Sequence, residues 1–151
     1  MPFEDLNTKA GVILAQSDTT IGFFSHDQDR LNAAKNSPPT KKLLQVCTHF
    51  KDLPRMPPKQ RPLVRRKKAT FIYKSKEGWQ AFRVVQDPSV LVFLERLGVV
   101  FSTSANLSGQ GYEPQIALDL ADTIIEDKRG LAACKPSAII KVGHVRPRRL
   151  R

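Results

Sequence analysis

The sequence predicts an α/β or α+β fold, a single domain over residues 1–151 built on a mixed sheet. Three observations point there. Short apolar, β-branched runs interleave with segments of helical spacing along the whole chain. Two strand-like runs, TFIYK and AFRVV, flank SKEGWQ, which predicts a hairpin and argues against a purely parallel sheet. A hydrophobic content of 40% over 151 residues is enough for one sizeable core.

Taken in order, GVILAQ (Gly11 to Gln16) reads as a buried strand that stops at the polar SDTT. SHDQDRLNAAKN reads as a helix. Ser25 is its candidate N-cap, acidic residues fill its first turn, and Lys35 lies near its C-terminal end. NSPPT ends that helix, because proline cannot continue it. KLLQVCT is the next strand, and a proline-rich, basic loop runs from Pro54 to Lys68. The hairpin follows. DPSVLVFLERLG is the clearest helix: Asp87 caps it, Pro88 takes the first helical position and Gly98 ends it. Its apolar residues Val90, Phe93, Leu94 and Leu97 follow helical spacing. VVFST is a strand, EPQIALDLAD a helix, TIIE a further candidate strand, and SAIIKV the final strand.

The strongest compositional fact is a formal net charge of +11. It predicts polyanionic partners, nucleic acid or nucleotide phosphates. The charge is clustered in KQRPLVRRKK (Lys59 to Lys68) and RPRRLR (Arg146 to Arg151), and each run reads equally as a solvated surface. No apolar run approaches bilayer-spanning length, so no membrane partner is expected. The N-terminus lacks the apolar stretch of a secretory signal, and a cytoplasmic location is the expectation. Cys47 and Cys134 lack metal-ligand spacing and are read as core thiols. His26, His49 and His144 are isolated and read as surface or capping residues, so no metal site is expected.

Three polar stretches carry the chemistry. FSTSANLSGQG (Phe101 to Gly111) crowds small hydroxyl and amide side chains after a strand and before a helix. Read plainly it is a hydrophilic turn. Read chemically it is a phosphate cradle, with Ser102, Thr103, Ser104 and Ser108 as short donors and Asn106 as donor and acceptor. QSDTTIGFF again places compact polar groups, Ser17, Asp18, Thr19 and Thr20, at a strand end. AAKNSPPTKKLL frames a proline-stiffened loop with Lys35 and Lys41, holding ammonium groups for an anion at low entropic cost.

In this order the stretches resemble the YrdC/TsaC family of threonylcarbamoyl-AMP synthases. SANLSG (Ser104 to Gly109) reproduces the family's Ser-x-Asn-x-Ser-Gly motif. QSDTTIGF resembles its Pro-Thr-Asp-Thr-x-Tyr-Gly-Leu segment at Asp18, Thr19 and Gly22. KNSPPTKKLL resembles its Lys-x-Arg loop at Lys35, Pro38, Lys41 and Leu43. Arg83 stands at its Arg-x-Pro-type strand end, and PSAIIKV resembles its Pro-Ser-Thr segment with Ala138 in place of threonine. The departures are Ser37 for the loop arginine, Pro39 for another basic residue, Ile21 for tyrosine, and no Pro-Gly-Pro before Thr70. A serine supplies neither the charge nor the fork geometry of an arginine. The chain thus resembles a short, diverged member.

The resemblance implies a twisted, mixed, largely antiparallel sheet flanked by helices, with a basic concave face. It implies synthesis of threonylcarbamoyl-AMP from L-threonine, bicarbonate and ATP for the t6A modification of tRNA, with Mg²⁺ arriving on ATP. Lys35, Lys41, Ser104 and Asn106 would be catalytic. Lys35, Ser102, Ser104, Asn106, Arg83 and Arg149 (or Arg148) would bind ATP. Ser17, Thr19, Thr70 and Ser137 would line the threonine side. Other proteins of the t6A pathway would be partners. The alternative is a non-catalytic YrdC-like protein that binds tRNA or double-stranded RNA through Arg65, Arg66, Lys67 and Lys68.

Overall fold

A computed structural model describes residues 11–56, 58–143 and 147–151. The strands β1 (Ile13–Gln16), β2 (Ile21–Ser25), β3 (Leu44–Cys47), β4 (Thr70–Ser75), β5 (Gly78–Val84), β6 (Val100–Ser104), β7 (Thr123–Ile125), β8 (Ile139–Val142) and β9 (Pro147–Arg149) form one sheet. Its order is β7-β1-β2-β6-β3-β5-β4-β8-β9. β1 with β2, β2 with β6, β3 with β6, β4 with β5 and β8 with β9 pair antiparallel. β1 with β7, β3 with β5 and β4 with β8 pair parallel. The sheet is mixed and largely antiparallel, as the sequence predicts. The helices are α1 (Gln28–Ala34), α2 (Arg61–Arg66), α3 (Pro88–Leu97) and α4 (Pro114–Leu120). None is long and apolar enough to cross a membrane.

Alternation along the strands sorts the core into layers. Ile13, Ala15, Phe24, Val46 and Val100 point to one face and meet Val90, Phe93, Leu94 and Leu97 of α3. The Phe24 and Phe93 rings meet edge to face at 5.6 Å, a preferred aromatic geometry. On the opposite face Val12, Leu14, Ile21 and Phe23 pack with Leu31 of α1 and Ala117 of α4. Farther along that second face, Phe71, Tyr73, Phe82, Ile140 and Val142 pack with Met56 and with Val64 of α2. The first half of the sheet is therefore covered on both faces. In the β5-β4-β8-β9 half, cover is supplied to the Phe71 face, while Lys74, Trp79 and Lys141 on the other are exposed.

α3 matches its sequence signals. Asp87 accepts a hydrogen bond from the Ser89 amide, Pro88 opens the helix, and Gly98 closes it at a φ of 74°. Five expectations need correction. Ser25 ends β2, and the N-cap of α1 is Asp27, whose carboxylate accepts from the Arg30 amide. Ser25 accepts from the Asp27 amide instead. IGFFS was not read as a strand, yet β2 sits in mid-sheet. The basic stretch from Pro54 to Lys68 is not all loop, because RPLVRR forms α2, with Pro62 in the first turn where its missing N–H costs nothing. SAIIKV is not the last strand, since β9 follows it. Cys47 is buried, but Cys134 is exposed and is no core thiol. Of the residues singled out in the sequence, His144 and Arg146 lie outside the described residues.

Candidate functional site

Strand pairing brings two of the three polar stretches together. β2 and β6 run antiparallel with Gly22 opposite Ser104, so the SDTT turn before β2 lies beside the SANLSG loop after β6. The contact is close: a Cβ on Gly22 would sit 3.1 Å from the Thr103 carbonyl oxygen. That oxygen is fixed backbone of a paired strand, which accounts for glycine here. The Ala105 amide donates to the Ile21 carbonyl at 3.2 Å and extends the seam past the strands.

Lys35 joins the third stretch to this seam. It is the C-cap of α1 and is 2% exposed. Its ammonium donates to Thr103 Oγ1 at 2.8 Å, to the Ser104 carbonyl at 2.8 Å and to Ser104 Oγ at 3.4 Å. Its own carbonyl accepts from the Ser108 amide at 2.9 Å. With their oxygens receiving N–H groups, the Thr103 and Ser104 hydroxyls have hydrogens to donate outward. The buried charge thus turns two hydroxyls at the strand end into polarised donors. Burial lowers the Lys35 pKa from 10.5 to about 8, with the nearby Lys41 charge adding to the effect.

Asp18 provides a second tie. Its carboxylate accepts from Arg83 Nη2 at 2.7 Å and Nε at 3.3 Å, and the side chains are 2% and 4% exposed respectively. β6 and β3 lie between β2 and β5 in the sheet. That separation is about 14 Å across a flat sheet, so the turn carries Asp18 across the intervening strands. Arg83 Nη1 is buried with no hydrogen-bond partner among the described residues. The Phe71–Phe82 register sets Thr70 opposite Arg83, and Thr70 Oγ1 lies 2.7 Å from Ser137 Oγ. Lys68 stands at the rim, 3.9 Å from Asp18.

The remaining predicted residues divide. Ser17 Oγ bonds Thr19 Oγ1 at 3.1 Å and accepts from the Thr19 amide, so these two shape the turn. Ser102 is buried on β6. Asn106 spends both amide hydrogens inside its loop, on the Leu107 and Gln110 carbonyls. In this arrangement Asn106 holds the loop, and its carbonyl oxygen is the remaining polar group. α4 begins only at Pro114, so the cluster sits on a strand end and not on a helix N-terminus. Lys41 is exposed, and its carbonyl accepts from Asn32. Ser37 Oγ is buried and unpartnered among the described residues. Arg149 is exposed and donates to the Arg151 carbonyl at 3.0 Å. It is Arg151 that reaches the Ser137 carbonyl, at 3.0 Å. Arg65, Arg66, Lys67 and Lys68 are all exposed. His26 caps a helix, as read from the sequence: its Nε2 donates to the Leu97 carbonyl at 2.6 Å.

Arg129 was missed in the sequence. Its guanidinium donates to the Gln16 and Ser17 carbonyls while paired with Asp127, and so braces the SDTT turn from outside. The carbonyls it reaches lie more than a hundred positions away along the chain, and no local pattern marks it.

Two tests follow from this geometry. Breaking a buried ion pair by removing one partner costs about 3–5 kcal/mol. Asp18→Asn and Arg83→Met should each cost that much in urea denaturation, and the double variant should cost clearly less than their sum; single costs below about 1 kcal/mol would contradict the pair's structural role. The second test concerns Lys35. The unfolded chain keeps the ordinary lysine pKa, so between pH 8 and 10.5 it binds the Lys35 proton more tightly than the folded chain does. Raising pH through that window therefore favours the folded state, by up to about 3 kcal/mol. The stability of wild type relative to Lys35→Met should rise from pH 7 to pH 10, and a flat difference would contradict the buried ammonium.

No family model matches the sequence, and no curated protein matches it. Solved structures do match in fold. A double-variant P. abyssi Sua5 superposes with a TM-score of 0.78 at 18% identity, over 93% of this chain and 52% of that one. P. abyssi Sua5 complexed with L-threonine gives 0.75 at 18% identity, over 93% and 50%. E. coli YciO gives 0.74 at 22% identity, over 93% and 82%. The chain thus spans about half the length of the Sua5 structures it matches. With its mixed sheet, its four helices and these superpositions, the chain carries the YrdC-like fold of the Sua5 and YciO structures.

Proposed function

We propose that the chain is a threonylcarbamoyl-AMP synthase. The observation that carries this reading is the buried Lys35 ammonium held on Thr103 and Ser104 at the head of SANLSG. A buried positive charge held on two hydroxyls at one strand end suits an incoming phosphate. The likeness to Sua5, one structure of which holds L-threonine, supports threonine as the second substrate.

In this reading threonine and bicarbonate first give the N-carbamate and water. A carbamate oxygen then attacks the α-phosphorus of ATP, the bond to the β-phosphate bridge breaks, and pyrophosphate leaves. Two anions must meet, so fixed charge lowers the barrier. Lys35 supplies that charge with Lys41 at the rim, Ser104 donates to phosphate oxygens, Ser102 supports its strand, and Asn106 holds the loop in shape. Arg83, anchored by Asp18, offers Nη1 to a carboxylate or phosphate oxygen. Ser17, Thr19, Thr70 and Ser137 border the threonine side, and Arg149 lies at its outer edge. Mg²⁺ enters as part of the ATP substrate. Among the described residues no three His, Cys, Asp or Glu side chains group to form a resident cage.

The exposed run Arg65, Arg66, Lys67 and Lys68 favours a second reading, a non-catalytic protein that binds the phosphates of tRNA or double-stranded RNA. Incubation with ATP, threonine and bicarbonate distinguishes the two. The synthase releases pyrophosphate only when all three are present, and Lys35→Met lowers turnover by about 10²–10³-fold, the usual loss for removing one preorganised electrostatic group. Absence of threonine-dependent release at high protein concentration would reject the synthase and leave the RNA reading.

A further inference from the structure

The open face of the β5-β4-β8-β9 half carries Trp79, the sole tryptophan of the sequence. Trp79 is 43% exposed, although an indole standing on a sheet face ordinarily finds cover. Its surroundings are uniformly basic. Lys74 is its cross-strand partner on β4. The Lys141 ammonium stands 4.4 Å from its ring centre, Arg148 is opposite Lys141 on β9, and Lys42 donates to the Trp79 carbonyl at 3.3 Å. All four basic residues are exposed. The registers place Lys74, Trp79, Lys141 and Arg148 on the same face by the two-residue period of strands. The four strands contain no acidic residue. The nearby hairpin-turn Glu77 accepts from Gln80 at 3.3 Å.

An exposed indole ringed by four cations on a sheet matches the chemistry of single-stranded nucleic acid: a π-face for a base and positive charge for the backbone. A duplex keeps its base faces stacked internally and could use only the charge. We propose that the Trp79 face binds single-stranded nucleic acid, one base stacking on the indole and the flanking phosphates meeting Lys42, Lys74, Lys141 and Arg148. This surface adjoins the proposed ATP and threonine side, since Trp79 shares a face of β5 with Arg83 and Lys74 a face of β4 with Thr70, but it is argued from its own residues and rests on neither reading given above.

The sole tryptophan is its own reporter. A twelve-nucleotide oligouridylate and a twelve-nucleotide oligothymidylate should each quench Trp79 fluorescence saturably, and the tighter of the two identifies the natural source. Four phosphate contacts at about 0.7 each give a log–log salt slope near −2.8, an affinity loss of about 50-fold between 50 and 200 mM salt. Trp79→Ala should weaken a labelled oligouridylate about 5- to 150-fold by anisotropy, with an unchanged melting curve, while Trp79→Phe retains most of the affinity. Lys74→Gln with Lys141→Gln should flatten the slope by about 1.4. Lys35→Met should leave the quenching intact, which separates this test from the synthase reading. Absence of quenching at 50 mM salt, quenching by AMP as strong as by the oligomer, tighter binding of an RNA duplex, or unchanged affinity in Trp79→Ala would each overturn the proposal.

Discussion

The Asp18–Arg83 pair is the interaction on which the arrangement of the site depends. A nine-stranded sheet order puts the turn between β1 and β2 well away from β5, and hydrophobic layers alone do not specify where a polar turn goes. A carboxylate and a guanidinium, both almost completely buried, have one low-energy arrangement: each other. The attraction is paid for by desolvating both groups, so the pair adds little net stability compared with apolar side chains of the same size. Its value lies in position. It fixes Ser17 to Thr20 relative to Arg83, Thr70 and Ser137, and leaves Arg83 Nη1 without a partner among the described residues.

Lys35 performs the matching task at the other end of the seam. Without its ammonium, Thr103 and Ser104 are ordinary strand-end hydroxyls, free to rotate. With it, each oxygen accepts an N–H, at 2.8 and 3.4 Å, and the hydroxyl hydrogens are left available to a ligand. The proposed site would therefore act by indirect donation, with the charge behind the hydroxyls. Ser37, which stands where the related motif has arginine, contributes no charge, and this leaves Lys35 as the buried cation of the seam.

Much of this was legible in the sequence because the signals were local. α3 was marked by its own cap, proline and glycine, and the β4–β5 hairpin by paired β-branched runs around a glycine turn. SANLSG and Lys35 were singled out as chemistry-bearing, and the fold brings them into contact. What was not legible depends on distant partners. β2 was hidden because IGFFS is short, follows a polar turn and is buried on both faces, so it shows no alternation. α2 was hidden because proline and charge read as loop, while Val64 alone marks its buried face. Asp18, Arg129 and Arg151 find partners 65, 112 or 113, and 14 residues away, beyond any local pattern. The partners of Asn106 were not legible for a related reason: composition identifies an amide but not where its hydrogens go.

The central claim is that the SDTT turn and the SANLSG loop form one ligand-binding surface, joined by the β2–β6 seam, Lys35 and the Asp18–Arg83 pair. Amide hydrogen exchange with and without ATP and threonine tests it most directly. The account predicts that amides of residues 17–21 and 104–109 gain protection together on adding both ligands, with little change over residues 61–68. Protection confined to residues 61–68, or absent from both polar turns at saturating ligand, would contradict it.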